Sequence, residues 1–168
     1  MVTIRRVRKI SRKGQVIYPW YIAGFVDGEG SFHIAFTRRQ DLPRKWAIFP
    51  EFHVSQNGSR AHILKAIQKK LKCGHIKANH AKSTYDKTFV FVVRDRNDLA
   101  NKVIPFFDRY SLRAGKQQDY RKFKKIVQWM CEGKHFTHAG FRNIVNLAYT
   151  MNDGGKYRKT QKSTILDS

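Results

Sequence analysis

The stretch Ile22-Ala23-Gly24-Phe25-Val26-Asp27-Gly28-Glu29-Gly30 puts three glycines and two acids among four apolar residues. Pro19 stands where a helix could start, and Ile22, Phe25 and Val26 recur at helical spacing, so the pattern predicts a short helix over about 19–29 that stops at Gly30. Gly24 and Gly28 are four apart and share one face, which lets another backbone approach closely. Gly24, Phe25, Asp27 and Gly28 are therefore the expected contact surface for a second copy of the helix. Asp27 and Glu29 fall at the C-terminal end, where the helix dipole is already negative and nothing local stabilises a carboxylate. A divalent cation would: it offsets the charge, takes free helix carbonyls such as that of Gly28 as further oxygen ligands, and is the usual device for hydrolysing phosphodiesters. On these nine residues alone, an ordinary interface helix ending in a solvated turn is the alternative.

Outward from this stretch the pattern changes period. Phe32, Ile34 and Phe36 alternate with smaller or polar residues, the signature of a half-buried strand, and a second alternating run from Trp46 to Gln56 would pair antiparallel with it. Pro50 implies an edge or a bulge there. Ser59 is the expected cap of a helix carrying Ile63, Ile67 and Leu71 on one side and ending at Cys73-Gly74. Two more strands, 75–80 and 84–94, complete a β-β-α-β-β order. The second half is helical in pattern through Leu99, Val103, Ile104 and Phe107, then Phe123, Ile126, Val127 and Met130, then Ile144, Leu147 and Ala148, with Gly133 and Gly140 as interruptions. No second copy of the helix-and-strands unit is visible.

Charge narrows the function. The 168 residues hold 34 Lys and Arg against 12 Asp and Glu, a formal net charge of +22. A polyanion must neutralise such an excess, and nucleic acid is the leading partner. There is no apolar run long enough to span a membrane, and the basic residues are spread along the chain rather than along one amphipathic helix, so no membrane partner is expected. Two cysteines, Cys73 and Cys131, are too few for a disulfide framework and suit a reducing intracellular setting, an archaeal or prokaryotic cytoplasm or an organelle matrix. Residues 1–17, with Arg5, Arg6, Arg8, Lys9, Arg12 and Lys13, suit a phosphate-binding arm ahead of one domain over 18–168, though they also faintly resemble an organelle presequence.

Residues 22–30 resemble, position for position, the nine-letter motif that names the LAGLIDADG homing endonucleases, with Glu29 where the name spells Asp. The resemblance extends over nearly everything except the N-terminal arm. It implies an α+β chain of α-β-β-α-β-β-α order, a saddle-shaped antiparallel sheet with C-terminal helices. It also implies a Mg²⁺-dependent, intron-encoded, sequence-specific endonuclease without an organic cofactor, working on double-stranded DNA as a homodimer because one motif copy is present. Glu29 and the Gly28 carbonyl would hold the metal. Phe52-His53-Val54-Ser55-Gln56 is similar to the family's second strand, which gives Gln56 the role of positioning the attacking water, and Arg60 that of a basic partner. Leu112-Arg113-Ala114-Gly115-Lys116 is similar to the segment whose lysine reaches the active site. Lys156, Arg158, Lys159 and Thr160 fall in a tail similar to one that grips phosphates in single-motif members.

The polar phase of the strands and their flanks is the expected base-reading surface: Arg38, Arg39, Lys45, Glu51, His53, Ser55, Lys77 and Asn79, with His33 beside them. In 84–94 both phases are apolar, so no face is assigned. Phe32, Phe36, Phe52, Phe89 and Phe91 mostly fall at core-facing strand positions. Cys131, His135 and His138 with Cys73 and His75 could be drawn as a zinc site, but the spacing is irregular and surface or DNA-facing histidines are the plainer reading. An RNA maturase or a non-cleaving DNA-binding protein on the same scaffold is the alternative function.

Overall fold

The computed structural model describes residues 17–80, 83, 85, 87–156 and 158–167. The basic arm lies outside them except for Ile17. Helix α1 (Pro19–Glu29) begins with proline in its first turn, where the missing N–H is one that a helix start leaves unpaired anyway. It buries Ile22, Ala23 and Val26. The chain then turns straight into β1 (Gly30–Arg38). Only glycine allows this, because a Cβ on residue 30 would lie 2.5 Å from Val26 Cγ1 and 2.6 Å from the Val26 carbonyl oxygen.

Strand β1 pairs with β2 (Trp46–Asn57) from Gly30 opposite Val54 to Arg38 opposite Trp46. With β3 (His75–Ala78) and β4 (Thr88–Val93) they form a four-stranded antiparallel sheet of order β1-β2-β4-β3. Helix α2 (His62–Leu71) connects β2 to β3. Pro50 sits where β2 has outrun β4, whose last paired residue is Val93 opposite Phe52, so its missing N–H breaks no ladder, the local edge its presence implied. Ser59 does not cap α2. It lies in a 3-10 turn (Gly58–Arg60), anchored by Gly58 N–H donating to Lys87 O at 2.8 Å, and α2 starts three residues later.

The rest of the chain is helical: α3 (Arg96–Asp98) runs through a π-helical stretch (Leu99–Val103) into α4 (Ile104–Arg109), followed by α5 (Lys116–Cys131), α6 (His138–Ala148) and α7 (Lys162–Leu166). Gly140 lies within the first turn of α6 rather than interrupting the helical run; its N–H is capped by Thr137, and the Lys134 carbonyl occupies the space a Cβ would need. The expected α+β order is present. Phe32, Ile34, Phe52, Val54, Phe91 and Val93 project from one sheet face into a core built with α1, α2, α4 and α5. Phe32 is its hub, with ring centroids of Phe52, Phe107, Tyr120 and Phe123 at 5.0 to 5.5 Å. The face of β4 that the sequence left open is thereby fixed: Phe91 and Val93 meet the helices, while Val90 and Val92 take the other side. Among the described residues no helix is long and apolar enough to cross a membrane.

Candidate active site

Glu29 closes α1 with an exposed side chain that has no hydrogen bond or ion pair among the described residues. An unpaired carboxylate at the negative end of a helix, next to carbonyls the helix leaves free, is an oxygen-rich donor set that fits a hard divalent cation. Gly24 and Gly28 are exposed, and a Cβ added to either would meet nothing within 4 Å. The fold of one chain therefore does not require glycine at these two positions. Tyr21, 59% exposed, stacks on half-buried Phe25 along the same helix.

Asp27, expected among the contacts to a second helix, turns to its own chain. Its Oδ2 accepts from Arg113 N at 2.6 Å and Ala114 N at 3.1 Å, which ties the segment before α5 to the end of α1. Lys116, first residue of α5, is thereby held near the motif. Asp27, Ser31, His33, Lys116, Asn152 and Asp153 line a shared cavity of about 600 Å³. Gln56 lies two residues beyond Val54, the partner of Gly30, hence at the sheet end where α1 stops. Its Oε1 accepts from Asn57 N at 2.8 Å, which fixes the amide plane. Arg60 is exposed on the turn that follows. Topology thus gathers Glu29, Gln56, Arg60 and Lys116 at one end of the sheet.

The face of the sheet away from the helices carries the alternate residues, in rows set by register. Lys77, Val90 and Ser55 form one row, His75, Val92, His53 and Ser31 the next, and His33 stands across from Glu51. His75 and Arg94 also belong here. Sequence reading did not place Arg94 on this face, because the pairing that brings it to Glu51 is not local. Lys77 and Asn79 are exposed, as are Arg38 and Lys45 beside the β1–β2 turn.

Two expected base readers, Glu51 and Arg39, and one expected phosphate contact, Arg158, make internal contacts instead. Glu51 is only 5% exposed and takes Arg94 Nε at 2.6 Å on one carboxylate oxygen, with His53 and His33 Nε2 at 2.9 and 3.2 Å from the other. Burial pushes its carboxyl pKa up, but the two imidazoles outweigh that and hold it well below the ordinary value. It is an anchor beneath the surface, not a groove reader. Arg39 is doubly bonded to Asp41, at 2.8 and 2.7 Å. Arg158 donates to Ile34 O at 2.7 Å and Ala148 O at 3.0 Å, with its guanidinium over the Phe36 and Tyr149 rings. With Asn152 Nδ2 donating to Phe32 O at 3.0 Å, Arg158 covers the outer carbonyls of edge strand β1. Lys156 and Lys159 remain exposed, and Thr160 gives its backbone carbonyl to Tyr149. We expect Arg158→Leu to cost at least about 3 kcal/mol in urea unfolding, by removing two charge-assisted hydrogen bonds. It should leave the salt dependence of DNA binding unchanged, whereas Lys159→Ala should reduce that slope by about one.

The drawn zinc pattern does not assemble: His135 instead lies 3.3 Å from Arg96 and against the Phe136 ring. Among the described residues, His33, Glu51 and His53 are the one group of three or more His, Cys, Asp or Glu side chains close enough to share a metal ion.

A family model for LAGLIDADG endonuclease matches residues 22–127. The probable intron-encoded DNA endonuclease 1 of Mycosarcoma maydis is 30% identical over 148 residues, which cover 88% of this chain and 51% of that protein. The chain thus spans about half the length of this curated relative. Among solved structures, the homing endonuclease I-TnaI superposes with a TM-score of 0.79 at 31% identity, covering 90% of this chain and 97% of the other. The archaeal intron-encoded homing endonuclease I-Vdi141I, solved in complex with DNA, gives a TM-score of 0.79 at 28% identity over 89% of this chain and 92% of its own. A match over more than half the sequence, on a fold that carries the motif helix and sheet in the same order, makes this chain a member of the LAGLIDADG endonuclease family.

Proposed function

We propose that the chain is a homing endonuclease that cuts both strands of a long, nearly palindromic DNA site as a homodimer. The observation that carries this is the open glycine face of α1 ending in the Glu29 carboxylate, which has no partner among the described residues. Two such helices, related by a two-fold axis, would bring two Glu29 side chains together over one duplex. If each sheet follows about one turn of groove, the site spans roughly 20 base pairs.

Glu29 and the Gly28 carbonyl would hold a divalent ion, Mg²⁺ by its preference for oxygen ligands, which supplies positive charge at the scissile phosphate. Gln56, its amide plane set by Asn57, orients the attacking water. The Lys116 ammonium, held near the motif by Asp27, and the Arg60 guanidinium draw in the phosphate and offset charge that develops on it. The sheet face away from the helices and its flanks, with Ser55, His53, His33, Lys77, Asn79, Arg38 and Lys45, reads bases, while Lys156, Lys159 and the N-terminal arm contact the backbone. We place the protein inside the cell, in an archaeal or other prokaryotic cytoplasm or an organelle matrix, on its sparse cysteines and on the archaeal source of a structural neighbour.

Selection of cut molecules from a random duplex library in Mg²⁺ tests the reading. One enriched, nearly palindromic site supports it. An uncut library together with tight binding to intron RNA identifies a maturase instead.

A further inference from the structure

His33, Glu51 and His53 bring three metal-ligating atoms within 4.8 Å of one another on the free face of the sheet. The register fixes the set: His33 on β1 is directly across from Glu51 on β2, and His53 follows two residues on along the same face. Both Nε2 atoms approach a single carboxylate oxygen, Glu51 Oε2, at 3.2 and 2.9 Å. The shorter approach lacks hydrogen-bond alignment, since the buried His53 Nε2 has no hydrogen-bond partner. A tetrahedral ion with ligands at about 2.0–2.1 Å keeps its donor atoms about 3.3 Å apart, and both separations come within a few tenths of an ångström of that. Arg94 Nε holds the other oxygen, Oε1, at 2.6 Å, as the outer partner of a ligating carboxylate does.

Two imidazoles and one carboxylate select zinc and its late first-row neighbours. Mg²⁺ prefers octahedral oxygen and keeps its waters. The set therefore differs in chemistry from the carboxylate end of α1. We propose that His33, Glu51 and His53 form a binding site for a late first-row divalent ion, Zn²⁺ foremost, with a fourth position open on the sheet face opposite the helices. This goes beyond the endonuclease reading and does not depend on it. On the reading above that this face, with Ser55 and Lys77, meets DNA, ion occupancy and DNA binding are coupled: whichever way the ion changes DNA affinity, DNA changes ion affinity by the same factor.

The test is titration of the full-length protein with Co²⁺ in excess Mg²⁺, without DNA, followed by visible absorption. One equivalent per chain should produce d–d bands of four- or five-coordinate intensity, and one equivalent of Zn²⁺ should remove them. Zn²⁺ at about a hundredfold excess over its Kd should raise Tm by about 5 °C. His53→Gln and Glu51→Gln should weaken Co²⁺ binding by at least about a hundredfold, and Glu29→Gln should leave the bands unchanged. Melting without metal identifies a variant that has unfolded. In that case His33→Asn carries the test, since that ring is 30% exposed and leaves the Glu51–Arg94 pair in place. No bands in the wild type, or bands that vanish with Glu29→Gln and survive His33→Asn, would overturn the assignment and leave the cluster a charge network only.

Discussion

Glu29→Gln should bind the selected duplex as tightly as the wild type while cutting it at least about 10³-fold more slowly. The replacement keeps shape and removes charge. Because the Glu29 side chain has no partner among the described residues, the substitution breaks no internal contact, and Tm should not move. The measurements are gel-shift affinity, single-turnover cleavage and thermal melting on one preparation. Full cleavage by the variant would remove Glu29 from the metal site. Loss of cleavage together with loss of folding would mean that Glu29 is structural, contrary to its exposed position.

The second large effect concerns the glycine face. Gly24→Leu should weaken self-association by at least about 10³-fold, equivalent to about 4 kcal/mol, and abolish double-strand cutting. The folded chain itself gives no reason for such damage. A Cβ on residue 24 would meet nothing within 4 Å, and replacing glycine inside a helix adds up to about 1 kcal/mol of helix propensity. Monomer stability should therefore stay level or rise while the dimer is lost. Opposite movement of the two readouts separates an interface from a packing defect. Sedimentation and urea unfolding measure them.

Much of the scaffold could be read in the sequence because each element announced itself locally. Alternation placed Phe32, Ile34, Phe52 and Val54 on the core face, and the motif helix began at Pro19 and stopped at Glu29 as expected. What escaped were consequences of strand pairing and chain return. Alternation put Glu51 on the right face but could not show that His33, His53 and Arg94 would close over it. A basic tail residue looks the same in sequence whether it grips phosphate or, like Arg158, caps carbonyls on an edge strand over a hundred positions earlier. Ser59 matched a helix cap by type, but the tether from Gly58 to Lys87 interposed a 3-10 turn. In β4 both phases were apolar, and the choice fell to Phe91 and Val93 only because the neighbouring strand sets the register. Glu29, Gln56, Arg60 and Lys116 are assigned by resemblance, and the fold places them at one end of the sheet by connections no local pattern encodes.

Everything proposed for catalysis requires two α1 helices over one duplex. The mass of the complex between Glu29→Gln protein and its selected site, measured by light scattering on the eluting peak, answers this directly. Two chains per duplex is the expected value. One chain per duplex, with binding of full affinity, would contradict the proposed mechanism.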